Sequence, residues 1–374
     1  MKIEYEMREV CVACSSPYQI IGAIGIVTNR GLKADLYVFG TFSGFEEVAN
    51  RIKQYNYFEN VYIADPKRIG RHGKWMAIKK FIVPDKIVSS FMPVNVAYKY
   101  YYTTSRVSLK SAQLKVLRDR NPGMRMIMYD DGMGSYSGGG LLKTTPLRAI
   151  AEKLLHWNLN DPKLLSFMAY LPSLVKNRPP YDICSVEQQP RIEINKNNRS
   201  MLEDIFSVDP GKRINNKCII LDTSRYGDPY RDKMEKKDFE LLDSCFDIIV
   251  RYTGADAICK PHPKSKERTG AKVEIYPYQG IPMEVLYAGM LDLKDRILVT
   301  FVSTAAFTPK ILYNIEPLTI CLHRILYETQ TGANFDPIFN KFRDIYVHKD
   351  RLLAPGTIEE LDEQLKEWYI KQKS

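Results

Sequence analysis

No stretch of this sequence approaches the ~18–20 uninterrupted apolar residues that a membrane-crossing helix needs. The opening residues, Met1-Lys2-Ile3-Glu4-Tyr5-Glu6, lack the apolar core of a secretory leader. Neither a span nor a signal peptide is therefore expected. Cysteine is scarce and odd in number, seven in 374 residues, which does not suit a disulfide framework. Cys11, Cys14, Cys218, Cys245 and Cys259 lie inside apolar runs, as buried thiols of a reducing compartment do. Cys11-x-x-Cys14 falls within an expected strand and has no second ligand pair nearby, which argues against zinc or a redox centre. Histidine is scarcer still, at five residues, so one in an unusual context stands out. There is no internal repeat and no low-complexity tract. These absences point to a cytoplasmic globular protein, and a chain of this length is more often two domains than one.

Acidic residues are in deficit. Lys and Arg number 54 against 44 Asp and Glu, a formal charge of +10. The basic residues cluster in Lys67-Arg68-Ile69-Gly70-Arg71-His72-Gly73-Lys74-Trp75, continuing to Lys79-Lys80. A solvated basic loop accounts for this cluster. So does attraction to an anionic membrane surface, with Trp75 and Phe81 entering the interface. A positive field would also steer an acidic substrate. No helix-turn-helix or aromatic-basic RNA module is present, so nucleic acid is not the expected partner.

The first 65 or so residues alternate between strand and helix patterns: strands at Val10–Ala13, Asp35–Phe39 and Asn60–Ile63, helices from Tyr18 to Thr28 and Phe45 to Tyr55. Such alternation implies a parallel sheet. Ser105 to Arg118 reads as a helix leading into a strand that ends at Asp130, and Gly138-Gly139-Gly140 as a flexible loop. Residues 145–180 look helical and apolar, and the polar stretch Ile192 to Arg213 places a linker and domain boundary near residue 205. The second half restarts with a strand at Lys217–Asp222, then a helix over Lys236–Thr253 and strands ending at Lys260-His262 and near Val273, Leu298 and Leu318. The chain closes on an amphipathic helix. Thr357-x-x-Glu360 forms its capping box, and Ile358, Leu361, Leu365 and Trp368 its apolar stripe.

Two polar segments at the ends of apolar runs carry the chemistry. Met126-Ile127-Met128-Tyr129 breaks into Asp130-Asp131-Gly132, and Ile258-Cys259-Lys260 into Pro261-His262-Pro263. Strand ends of this kind are where ligands bind in open α/β sheets. Asp-Asp-Gly alone reads as a turn, with Gly132 free to adopt a conformation closed to other residues. Together with a histidine held between two prolines, it supplies a base and a hydrogen-bonding or proton-donating partner. Repulsion between Asp130 and Asp131 would raise one of their pKa values. The spacing does not match an Asp-x-Asp metal motif and no third carboxylate is close in sequence, so no metal is expected. Ser303-Thr304 ends another apolar run and opens an expected helix, Ala305 to Tyr313, which suits either plain capping or a phosphate.

The order of these segments resembles the bacterial sialyltransferases with Asp/Glu-Asp/Glu-Gly and His-Pro motifs, glycosyltransferase family 52 and its relatives in families 38 and 80. Ser16-Pro17-Tyr18-Gln19 is similar to the family's Ser/Thr-Pro-x-Gln loop, and Glu284 and Ser303-Thr304 fall where the family carries a glutamate and a Ser-Ser or Ser-Thr pair. The resemblance implies a GT-B architecture of two Rossmann-like domains facing across a cleft. Residues 1–205 would bind the acceptor and hold the general base, and residues 206–374 would bind the CMP-sugar. By the same resemblance, Asp130 is the base, with Asp131 as its neighbour, and His262 meets the leaving phosphate. Glu284 accepts from the ribose, and Lys260, Pro263, Ser303, Thr304 and Gly132 belong to the donor site. Ser16, Pro17 and Gln19 contact sialic acid or the acceptor.

The implied activity is an inverting transfer of sialic acid from CMP-sialic acid to a terminal galactoside of lipooligosaccharide or capsular polysaccharide. It would occur at the inner face of the plasma membrane, with no cofactor beyond the donor. Alternatives are a transferase of the same fold using a UDP-sugar, a polysialyltransferase, or a basic membrane-surface or nucleic-acid-binding protein that has kept the fold. The flank Met133-Gly134-Ser135-Tyr136 is only loosely similar to the family. Linkage and acceptor are not readable, and the oligomeric state is open, a homodimer included.

Overall fold

The computed structural model describes residues 4–67, 83–105, 109–136, 162–179, 181–222, 235–262, 272–326 and 330–373. It divides into two compact units, Met1–Ile205 and Phe206–Ser374. Among the described residues, no helix is long and apolar enough to cross a membrane. The basic segment from Arg68 to Phe81, the Gly138–Gly140 loop and Pro263 lie outside the described residues.

The first unit is built on a seven-stranded sheet in the order β3-β2-β1-β4-β5-β6-β7. Its strands are β1 (Glu6–Cys14), β2 (Ala34–Phe39), β3 (Asn60–Ala64), β4 (Val96–Thr103), β5 (Arg125–Tyr129), β6 (Leu165–Ala169) and β7 (Ser185–Gln188). Every pairing is parallel; Val10 of β1 registers with Ala34 of β2 and Tyr100 of β4. The order reverses between β1 and β4. At such a switch point the connections diverge to opposite sides and leave a crevice at the carboxyl ends of the strands.

Two strands depart from the sequence reading. The run Val96–Thr103, to which the sequence reading assigned no element, is a strand with four tyrosines. In the fold Tyr98 and Tyr101 are fully buried. Their hydroxyls are satisfied by Asp35 Oδ2 at 2.6 Å and Gln113 Oε1 at 3.0 Å, both distant in sequence. The run Leu165–Ala169, expected to be helical, is a strand buried along its whole length. Five apolar residues in a row fit either element, and only the neighbouring strands decide. The supposed polar linker contains a helix, Lys196–Ile205, whose Met201, Leu202 and Ile205 are buried. It is tied to the Phe45–Ile52 helix through Arg51, which donates to the Asp204 carbonyl at 2.6 Å.

The helix after β1, Pro17–Arg30, buries every residue from Tyr18 to Val27, as expected of one apolar all round. Ser16 caps it, accepting the Gln19 N–H at 3.3 Å, and Pro17 takes the first turn, where no N–H is needed. Gly31 ends it in the left-handed region at φ 60°. Ser16→Ala should cost about 1 kcal/mol, which urea unfolding of the intact chain would read.

The second unit has six parallel strands in the order β10-β9-β8-β11-β12-β13. They are β8 (Cys218–Leu221), β9 (Ala257–Lys260), β10 (Glu274–Ile275), β11 (Ile297–Thr300), β12 (Leu318–Cys321) and β13 (Leu352–Leu353). Its switch point lies between β8 and β11. The closing helix, Ile358–Lys373, buries Leu361 and Leu365 and packs on the Lys236–Thr253 helix through stacked Tyr252 and Tyr369 rings 5.8 Å apart. Thr357 Oγ1 caps it by accepting the Glu360 N–H at 3.1 Å, while Glu360 Oε2 reaches back to the Gly356 N–H at 2.7 Å.

Candidate functional site

In the first unit the segments after β1, β5, β6 and β7 converge on the two aspartates. Asp130 is 0% exposed. Its Oδ1 accepts from the Tyr18 hydroxyl at 2.9 Å and the Gly132 N–H at 2.7 Å. Its Oδ2 accepts from the Tyr136 hydroxyl and from the Tyr170 N–H at 3.2 Å. Its own N–H donates to Gln189 Oε1 at 2.9 Å. Burial pushes this carboxyl up to about 6, against the pull of the four donors. A carboxylate offers about four acceptor positions, so none is left for a substrate. Gly132 makes the turn at φ 73°, beneath the Tyr18 ring.

Asp131 is different. It is half-buried, and its Oδ1 takes the Gln19 amide N–H at 2.7 Å. Its backbone N–H is held by Ser135 Oγ at 2.8 Å. Its Oδ2 has no hydrogen-bond partner among the described residues. Burial raises its carboxyl, while Gln19 and the charge of Lys110 lower it. The geometry therefore leaves Asp131, rather than the expected Asp130, with a carboxylate oxygen that has no partner among the described residues, while Asp130 holds the loop. Of the Ser-Pro-x-Gln segment, Gln19 is bonded to Asp131, whereas Ser16 and Pro17 serve the helix start.

In the second unit, β9 delivers a buried Pro261 and a half-buried His262 at the carboxyl edge. Lys260, 4% exposed, turns away from solvent. Its Nζ donates to the Gln279 carbonyl at 2.8 Å and sits over the Tyr276 ring at 5.5 Å. Burial pushes the amine down to about 8, opposed by the charge of Glu284, whose own carboxyl burial raises. Lys260 thus ties down the loop that leads to Glu284, at the start of the Met283–Gly289 helix. Ser303 and Thr304 follow β11, separated from the His262 edge by β8 alone. The expected helix Ala305–Tyr313 is instead a single 3-10 turn, Thr304–Phe307, and a π turn, Pro309–Tyr313. The dipole of a long helix is therefore not on offer there. The hydroxyls and turn N–H groups are, with Ser303 Oγ capping the Ala305 N–H at 3.4 Å.

No family model matches the chain, and no curated protein matches its sequence. Solved structures do match. The chain is similar to the α/β-galactoside α-2,3-sialyltransferase of the luminous marine bacterium Photobacterium phosphoreum, with a TM-score of 0.50 and 11% identity over 95% of this chain and 99% of that one. The calicheamicin glycosyltransferase matches at a TM-score of 0.44 and 11% identity, over 98% of this chain and 95% of that one. A glycosyltransferase of Rickettsia africae matches at 0.40 and 8%, over 97% and 94%. The chain has the GT-B fold.

Within this GT-B fold, the residue that sequence reasoning missed is Lys110, 3% exposed on the Leu109–Arg120 helix. Its Nζ donates to Gln19 Oε1 at 3.0 Å. A signal was available: Lys110 shares a helical face with Leu114 and Leu117, and a cation on an apolar stripe needs a partner. Tyr18, Tyr136, Tyr170 and Gln189 were missed for another reason. They act on Asp130 from four separate places in the chain, which no local pattern reveals.

Proposed function

We propose that the protein is an inverting glycosyltransferase that moves sialic acid from CMP-sialic acid to the hydroxyl of a terminal galactoside. The observation that carries this reading is the half-buried Asp131 carboxylate at the carboxyl end of β5, with one oxygen held by Gln19 and the other without a partner among the described residues. The His262 and Ser303-Thr304 strand ends of the second unit support a nucleotide phosphate there.

In the proposed step the acceptor hydroxyl gives its proton to Asp131 as its oxygen bonds to the anomeric carbon. The bond from that carbon to the phosphate oxygen breaks, and its electron pair leaves on CMP. The phosphate takes a hydrogen bond or proton from His262. One displacement inverts the centre, so the β-linked donor gives an α-sialoside. The acceptor would be a lipooligosaccharide or capsule unit at the inner membrane face.

The test is release of CMP from CMP-sialic acid, with and without lactose, in EDTA. Release that depends on lactose and survives EDTA is expected. No release from CMP-sialic acid, with thermal stabilisation by UDP or a UDP-sugar, would overturn the donor assignment in favour of the UDP-sugar alternative.

A further inference from the structure

A lysine buried to 3% exposure, outside the segments that sequence reading singles out, needs a reason to be there. Removing a cation from water is expensive unless it is matched by a charge or hydrogen bonds. Lys110 Nζ has the Gln19 Oε1 contact at 3.0 Å and the Phe39 ring at 5.9 Å. The same Gln19 Oε1 also accepts the Ser15 N–H at 2.6 Å and the Ser15 hydroxyl at 3.0 Å. Three donors on one oxygen fix which way round the amide lies. Its NH2 group is thereby turned outward, and it meets Asp131 Oδ1 at 2.7 Å.

We propose that Lys110 is a positioning residue, which acts through Gln19 to hold the Asp131 carboxylate ionised and oriented with Oδ2 toward the acceptor hydroxyl. The inference rests on the reading of Asp131 as the base. Hydrogen bonds in a chain polarise one another where the dielectric is low, so a cation two bonds away strengthens the Gln19 contact as well as acting through space. The titratable groups that feel Asp131 from the elements around it are Lys110, Cys14 at the end of β1, Tyr129 of β5 and Tyr181. Burial raises the cysteine and both tyrosines, which keeps them neutral at neutral pH. Asp130, the adjacent carboxyl, is occupied by its four donors. Among these groups Lys110 is the one that can carry a positive charge. Burial pushes it down to about 8, while the Asp131 charge pulls it back up.

The test uses two readouts on the full chain. In Lys110→Met the amide loses one of the three donors that fix it, and Asp131 loses the cation. Turnover at the acid end of the pH profile should fall about tenfold, with the deficit narrowing toward pH 8 and the donor KM nearly unchanged. Lys110→Arg should restore much of the acid limb. Gln19→Glu keeps a partner for Lys110 but sets a second carboxylate against Asp131, and should displace the limb further toward high pH. The second readout needs no substrate. The carboxyl 13C resonance of Asp131, assigned with Asp131→Asn, should titrate at higher pH in Lys110→Met than in the parent. An unmoved resonance, in a variant that unfolds at the parent's temperature, would overturn the inference even if transfer stands. A displaced resonance in a protein that transfers no sugar would keep the electrostatic coupling and overturn the catalytic reading instead. If Lys110→Met does not fold, the Lys110→Arg and Gln19→Glu resonances decide, with no displacement in Gln19→Glu overturning the inference.

Discussion

Asp131→Ala should abolish transfer, by about 10³-fold in kcat, in a protein that melts within a few degrees of the parent. Asp130→Ala should do something different: it should lower the melting temperature by more than about 10 °C. The two residues are adjacent, so the contrast comes wholly from what surrounds each carboxylate. Asp131 is half-buried and contributes one side-chain hydrogen bond at 2.7 Å, and changes at such positions usually move stability little. Asp130 is the acceptor for Tyr18, Tyr136, Tyr170 and Gly132 at once. Its removal leaves four donors without a partner in the dry interior, and each orphaned group costs about 1–3 kcal/mol. Not all of that sum is expected, because the tyrosine hydroxyls can turn and water can enter the space. A net loss of about 4 kcal/mol is a large part of the stability of a domain. Calorimetry alongside CMP release from CMP-sialic acid would read both. A stable, inactive Asp130→Ala paired with an active Asp131→Ala would hand the proton transfer back to Asp130.

Asp130 is named as the base by resemblance alone, and that the residues themselves do not separate it from Asp131 has a physical cause. In a strand covered on one face, alternation shows which of two neighbours points inward. Met126, Ile127, Met128 and Tyr129 are all buried, as in parallel sheets covered on both faces. The alternation is absent just where it would decide between the two carboxylates. The same continuous burial made Leu165–Ala169 ambiguous between helix and strand. The Lys236–Thr253 helix was legible to its ends because one of its faces meets water, so its apolar residues recur at helical spacing. The strand ends at Asp130, His262 and Ser303 were legible because an apolar run that stops at polar residues needs no partner to be seen. Lys110, Tyr18 and Tyr170 were not, since their burial is explained by groups tens of residues away.

His262→Ala should reduce transfer by about 10²–10³-fold with the donor KM changed much less. The reasoning starts from the leaving group. As the anomeric carbon parts from the phosphate, negative charge builds on the phosphate oxygen, and a donor placed there acts mainly in the transition state. His262 follows a buried Pro261 at the carboxyl edge of β9 and is half-buried, with backbone freedom reduced at its N-terminal side. His262→Lys should recover part of the lost rate, because an ammonium group supplies both charge and donors to a phosphate. The acid limb should stay in place in both variants, since Asp131 belongs to the first unit and its partners are untouched. An alanine variant with the parent's kcat would remove His262 from the chemistry. A displaced acid limb would assign it to the acceptor side instead.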